Sequence, residues 1–355
     1  MSSIKDVAKL AGVGVATVSR VLNGSKNVSD ELKLRVNKAV EELGYSANSI
    51  AKGLKSSKTN NIAIIIPYIK RIFFTDIIDG ISMVCKRNGY SIQIYESNDD
   101  EATEMKLINS LVDTWIDGII VASCISEKNE KTSEFIESLH LLNKKGVNIP
   151  IVNLEINALN ENISSIVINH REAAKEAVKY LISLNRKNIV HLAHPKQSRI
   201  GRERLGGYID ALNENNILLD ERLIVYGNYS VISGYRAVKS LIDNNINFDA
   251  IFAANDQMAI GALKACKAFN VSIPEQVAIV GCDDIFVTSL VEPAISTIKV
   301  FRAEMGISAA NRLIHLIDNN GELKGEEKIV TLETKLIIRK STDLNAKDSI
   351  SNFYW

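Results

Sequence analysis

Arg20, Val15 and Ala16 lie in the segment VATVSR, whose helical periodicity puts residues 16 and 20, four apart, on one face. An arginine so placed can donate two parallel hydrogen bonds to O6 and N7 of a guanine, and small apolar side chains such as Val15 and Ala16 suit the methyl group of thymine. Thr17, Ser19, Ser3 and Asn23 carry hydroxyl and amide groups suited to phosphates or the local backbone, contacts that hold register on a duplex without reading sequence. Outside such a setting Arg20 would be an ordinary solvated surface arginine, so its role depends on the frame around it.

That frame has the spacing of a helix-turn-helix. Ile4, Ala8, Gly12 and Val18 supply an apolar anchor, a small residue that lets two helices approach, a glycine for the tight turn and an inward residue on the second helix. A plain helical hairpin would share part of this pattern. Charge supports the DNA reading: the chain has 42 basic and 42 acidic residues, so any nucleic-acid surface must be local. Residues 1–60 hold ten Lys or Arg against five Asp or Glu.

Elsewhere the constellations of catalysis are missing. No GxGxxG follows a strand, and the sequence contains no P-loop, GxSxG elbow or HExxH. His191 and His194 are three apart on an expected strand and so face opposite sides, which argues against a shared metal. Cys85, Cys124, Cys266 and Cys282 are widely spaced, form no CxxC pair and read as small buried fillers in a reducing cytoplasm. No enzyme activity, metal or cofactor is expected. Leu10 to Ala16 is apolar, but Asp6, two glycines and Arg20 argue against a secretory signal, and the run Ile62 to Ile69 is far too short to span a membrane.

At roughly 150 residues per domain, 355 residues predict two or three folded units. Short helical patterns fill the first 45 residues, and Ser46 to Asn61 has the Ser-, Asn- and Lys-rich composition of a linker. Beyond it, apolar runs alternate with amphipathic helices, as βαβ units and parallel sheets require. Expected strands are Ile62 to Pro67, Ser91 to Tyr95, Gly118 to Ala122, Pro150 to Leu154, Ile189 to Ala193, Leu223 to Tyr226, Ala250 to Ala253 and Val277 to Gly281; Arg202 to Asn213 is one of the helices between them. About 280 residues of this texture predict two α/β lobes, with a ligand cleft between them.

The run IKDVAKLAGVGVATVSRVLNG, with VNKAVEELGYSANSIAKGLKSSKT, VDTWIDGIIVAS, IFAANDQMAIGAL, VAIVGCDD and LIIRKST, resembles the LacI/GalR family of bacterial transcription regulators along nearly the whole chain. The resemblance implies an all-α helix-turn-helix domain at 1–46, a hinge helix at 47–60, a two-lobed α/β core of the type I periplasmic-binding-protein kind at 61–341 and a tail at 342–355. Within the core it implies a first lobe of about 61–165 and 294–325 and a second of about 166–293 and 326–341. It further implies a homodimer on a near-palindromic double-stranded operator. The hinge helix would fold when two subunits meet on DNA, with Leu54 as a minor-groove wedge, Ala51 on the same apolar stripe and Lys55 neutralising phosphate. Ala47, Lys52 and Gly14 depart from the family's usual proline, arginine and serine, although glycine still serves as an N-cap at little cost.

The resemblance also places an effector in the cleft, a sugar or sugar derivative, and implies a repressor of a carbohydrate-use operon. Glu155, Arg202, Asn255 and Asp283 fall at family pocket positions near strand ends, where open α/β sheets present ligands, and such carboxylates and guanidinium groups suit hydroxyls. Arg204 is the alternative to Arg202, assigned here to a structural ion pair. Phe73 and Tyr229 are the expected aromatic contacts and Ser123 a further polar one; Asp256 and Asp284 are expected to be structural. Asn169 stands where the family usually has an aspartate, so no charge-based role carries over to it. The rival readings are a sugar-binding transport protein, which needs export and leaves residues 1–60 unexplained, and an α/β sugar enzyme, which needs an acid–base pair.

Overall fold

The computed structural model describes residues 2–22, 28–45, 59–112, 116–125, 147–155, 163–323 and 327–347, with a few positions between 132 and 144. The expected hinge contacts Ala51, Leu54 and Lys55, together with Asn23 and the end of the tail, lie outside the described residues. Two compact units emerge, 1–60 and 61–355.

The first unit is three helices, α1 (Ile4–Ala11), α2 (Val15–Leu22) and α3 (Asp30–Glu42). Val7, Ala8, Ala11, Val18, Val36 and Ala39 form its core. Ser3 closes a capping box with Asp6, and α1 ends at Gly12 with φ 62°, the left-handed conformation that glycine adopts without strain. A Cβ at position 12 would sit 2.7 Å from Arg35 Nη2. The Arg35 guanidinium donates to the carbonyls of Ala11 at 2.7 Å and Gly12 at 3.2 Å, tying the turn to α3.

The second unit holds two six-stranded sheets. In chain order its elements are β1 (Asn61–Ile66), α4 (Phe73–Arg87), β2 (Ser91–Glu96), α5 (Glu101–Val112), β3 (Gly118–Val121), β4 (Ile151–Glu155), β5 (Ser164–Ile168), α6 (His170–Ser183), β6 (Ile189–Ala193), α7 (Arg199–Glu214), β7 (Ile224–Tyr226), α8 (Val231–Asp243), β8 (Ala250–Ala253), α9 (Asp256–Ala268), β9 (Ala278–Asp283), β10 (Ser296–Val300), α10 (Arg302–Asp318), β11 (Ile329–Leu332) and β12 (Thr334–Ile337). The first sheet runs β11-β5-β4-β3-β1-β2, all parallel. The second runs β12-β10-β9-β8-β6-β7, parallel except for β12 against β10.

Both sheets are covered on both faces, which is why central strands such as β1, β3 and β8 read as apolar runs. Ile62, Ile64 and Ile66 of β1 face α4 and α10, and Ala63 and Ile65 face α5. In the second lobe Ile251 and Ala253 face α8 and α9, and Ala250 and Phe252 face α6 and α7. Helices α4 and α10 approach so closely that a Cβ on Gly80 would lie 2.4 Å from the Ala303 carbonyl.

The lobe boundaries differ from the expected ones. Residues 164–168 and 329–332 pair within the first sheet, and 296–300 pair within the second, so the chain crosses near 169, 301 and 333 rather than near 165, 293 and 325. These strands, with β12, were absent from the expected set. Ser164 and Ser165 break the apolar run of β5, and β11 and β12 lie at sheet edges with partly exposed side chains. Ladder partners cannot be read from local periodicity alone.

Candidate functional site

On α2, Val18 is fully buried, and Val15, Ala16 and Arg20 are exposed, so the face expected to read bases is the outward one. Thr17 and Ser19 flank it, half-buried. The first turn of α2 closes on the Gly14 carbonyl, which accepts from Thr17 N at 2.8 Å and Val18 N at 3.2 Å. Ser3 is exposed; its hydroxyl oxygen accepts from Asp6 N at 3.4 Å, which caps α1, and its hydroxyl hydrogen goes to Asp6 Oδ2 at 2.7 Å.

Between the two lobes of the second unit lies a cleft of about 820 Å³. Phe73, Ser123, Glu155, Tyr229, Asn255 and Asp283 all line it. Phe73, Glu155, Asn255 and Asp283 stand at strand ends or helix starts, where open α/β sheets present ligands. Glu155, Tyr229 and Asp283 take left-handed backbone, with φ of 67°, 70° and 116°, conformations that cost non-glycine residues energy and cluster at functional sites.

Arg202 is the exception. Its side chain is exposed on α7 and donates to the Gln197 carbonyl at 2.9 Å, and Arg204 lines the cleft in its place. Two residues on a helix differ by about 200° in direction, so both arginines cannot face the same way. The buried stripe Gly201, Arg204, Tyr208 and Ala211 has helical spacing, a signal legible in the sequence that selects Arg204 over Arg202.

Arg204 organises the second-lobe wall. It donates to Asp283 Oδ1 at 3.1 Å and to the Ala254 carbonyl. Burial pushes the Asp283 carboxyl up, against the pull of Arg204 and Arg302. Asp256, buried behind it, is pushed up by burial and by Asp283; it accepts from Thr297 Oγ1 at 2.6 Å and Ile285 N at 2.8 Å. Asp284 pairs with Arg339 at 2.6 Å. Asp256 and Asp284 are thus structural anchors. Asn255 caps α9 by accepting from Met258 N and donates to the Tyr229 carbonyl, both at 3.0 Å, leaving one amide hydrogen for other partners. Asn169 caps α6 through Glu172 N, a role an amide fills as well as a carboxylate.

The first-lobe wall is built around Glu155, whose carboxyl burial pushes up to about 7. Its carbonyl is 3.1 Å from His170 Nε2, and burial holds that imidazole well below its usual range. The Ser123 hydroxyl donates to Glu104, a wholly buried carboxylate that also accepts from Cys124 N at 2.8 Å. Phe73 lines the cleft and joins the first-lobe core, edge-on to Phe74 at 5.1 Å.

Three contributors escaped the sequence reading. His194 lies 4.3 Å from the Tyr229 ring, and Arg71 covers that ring at 3.8 Å. Glu104 sets the loop carrying Ser123 from one turn inside α5. None belongs to a motif; only the topology brings them together. His191 stacks between Tyr208 and Phe252 at 5.1 and 5.0 Å, a core role. Among the described residues no cluster of His, Cys, Asp or Glu is arranged to hold a metal, and no helix is long and apolar enough to cross a membrane.

A two-unit chain with an outward recognition helix and a bilobed cleft defines a ligand-responsive DNA-binding regulator, and comparison with known proteins gives the same class. Residues 3–48 match the model of the lacI family of bacterial regulatory proteins and 178–342 that of a periplasmic binding protein-like domain. Catabolite control protein A of Priestia megaterium is 31% identical over 341 residues, 96% of this chain and 99% of the relative. The HTH-type transcriptional regulator AscG of Escherichia coli is 32% identical over 347 residues, 96% and 98% of the two chains. The structure of the lac repressor dimer bound to operator and the anti-inducer ONPF superposes with a TM-score of 0.83 at 25% identity, covering 96% of this chain and 99% of that one. The chain belongs to the LacI family and is a DNA-binding transcription regulator, not an enzyme.

Proposed function

We propose that this regulator acts in the cytoplasm as a homodimeric repressor of a carbohydrate-use operon, with a sugar or sugar derivative in the cleft controlling its grip on a near-palindromic operator. The cleft carries this reading: a buried carboxylate, an arginine–aspartate pair and an amide face an 820 Å³ space beside the aromatic rings of Phe73 and Tyr229, the mixture of donors, acceptors and flat apolar surface that hydroxyl-rich rings require. A solved relative, 28% identical with a TM-score of 0.69, is a complex of the regulator CelR with cellobiose, and the lac repressor relative is a dimer on its operator.

Two-fold symmetry explains the operator: two recognition helices of a dimer meet two half-sites. Occupancy of the cleft biases the angle between the lobes, and with it the spacing of the segments 47–60 that join core to DNA unit, through a coupling free energy of about 1–3 kcal/mol. In this reading Ala51, Leu54 and Lys55 act at the minor groove. A thermal-shift screen against sugars, sugar phosphates, nucleosides and purines tests the cleft, since a ligand at a hundredfold excess over Kd adds about 2.7 kcal/mol to native stability. A sugar hit that alters operator affinity supports the proposal; a hit confined to purines, or no hit, refutes the sugar assignment.

A further inference from the structure

The segment 67–72 leaves β1 at the cleft mouth and is fastened to its own lobe. Ile69 N donates to Glu96 Oε1 at 2.6 Å, and the Tyr68 hydroxyl donates to the Asn98 carbonyl at 2.8 Å. Two adjacent side chains of this strap nevertheless belong to the opposite lobe. The Arg71 guanidinium lies 3.8 Å from the centre of the Tyr229 ring, and Ile72 packs against the second-lobe apolar cluster.

Both ends of the Arg71 contact are braced. On the first lobe Asp99 forms an ion pair with the Arg71 guanidinium. On the second, the Tyr229 carbonyl accepts from the Asn255 amide at 3.0 Å, and the His194 ring lies 4.3 Å from the Tyr229 ring, tilted by 41°. The contacts Asp99–Arg71, Arg71–Tyr229 and Tyr229–His194 therefore link one wall of the cleft to the other. A flat guanidinium over a tyrosine face is attracted by the ring quadrupole, and partial burial strengthens that attraction; the Arg71 side chain is 14% exposed. At the back of the cleft Arg302, which opens α10 of the first lobe, donates to the Asp284 carbonyl of the second at 3.0 Å. The lobes are thus joined at the back by the chain crossings and at the mouth by the strap.

We infer that Arg71 and Ile72 form a latch that holds the cleft closed by binding the second lobe, and that a ligand must displace the Arg71 guanidinium to reach the face of Tyr229. The latch sets the fraction of open molecules, and so the fraction competent to bind, whatever the ligand proves to be. It goes beyond the sugar reading and does not depend on it.

Cys124 provides a ligand-free probe, because it lines the cleft and is partly exposed, whereas Cys85, Cys266 and Cys282 are buried. Site-resolved iodoacetamide labelling of the full-length protein and of Arg71→Ala, Arg71→Lys and Ile72→Ala measures opening at Cys124, with the three buried thiols reporting loss of fold. Arg71→Ala should raise the Cys124 rate about tenfold, and Arg71→Lys, which keeps the charge but loses the flat face, by less. Ile72→Ala should raise it too, with the other three thiols unchanged. Parental Cys124 rates in all three variants would overturn the latch, and so would a rise shared equally by all four thiols in every variant.

Discussion

Arg204 and Asp283 meet at 3.1 Å with side chains only 3% and 8% exposed, so the charge that faces the cleft is already half of a buried pair. Taking two charges out of water is costly, and the pair persists because the Ala254 carbonyl satisfies a further guanidinium hydrogen. Arg204 thus both lines the cleft and holds the second-lobe wall together.

Arg204→Met should destabilise the core by about 3–5 kcal/mol, because it removes the buried ion-pair partner of Asp283. Arg202→Ala, on the exposed side of the same helix, should change stability by less than about 0.5 kcal/mol. Urea denaturation of the two variants decides between them. A loss at Arg202 with none at Arg204 would reverse the assignment of the two arginines.

Glu155 makes stability depend on pH in a defined direction. Its carboxyl is pushed by burial from 4.5 to about 7, so the native state binds this proton more tightly than the unfolded chain does. The resulting stabilisation is present in full below about pH 4.5 and is lost as pH rises through about 7, up to about 3 kcal/mol in all. Glu155→Gln removes the titration. Measured as a difference from the parent protein, which cancels the opposing contribution of the buried histidines, the variant should gain relative stability between pH 5 and pH 8. A difference that is flat across this range would place the Glu155 carboxylate in a more solvated setting.

Gly12→Ala tests the turn of the DNA-reading unit. Alanine at φ 62° is strained, and its Cβ would displace the Arg35 guanidinium from the two carbonyls it binds. A cost of about 1–3 kcal/mol follows. Amide hydrogen exchange on the intact protein should lose protection across α1 to α3 and keep it in the two lobes.

What could be read from the sequence followed physical locality. The strands β1, β6 and β8 are buried on both faces and mostly apolar, so composition marked them, and α1 and α2 were marked by the small and apolar residues that the tight turn demands. Glu155, Asn255 and Asp283 were reached because the resemblance to the LacI/GalR family marks their positions, each of which also follows a legible strand. The strand at 296–300 was missed because its ladder with β9 and β12 joins segments that no local pattern connects. Arg71 and His194 were missed for the same reason: each has meaning only through Tyr229, more than 30 residues away in sequence.

Arg20→Ala is the decisive substitution for the DNA face. Arg20 is exposed on the side of α2 opposite buried Val18, beside Val15 and Ala16, so its removal leaves the three-helix core untouched. If its guanidinium reads a guanine, each half-site loses a bidentate contact worth about 1–3 kcal/mol, and preference relaxes at that base pair alone. A phosphate contact behaves differently: affinity falls across all sequences, and the slope of log affinity against log salt drops by about one per contact. Titrating the parent and the variant against a panel of single-base operator variants at two salt concentrations separates the two. Relaxed preference at one symmetric position, with an unchanged salt slope, is the expected result.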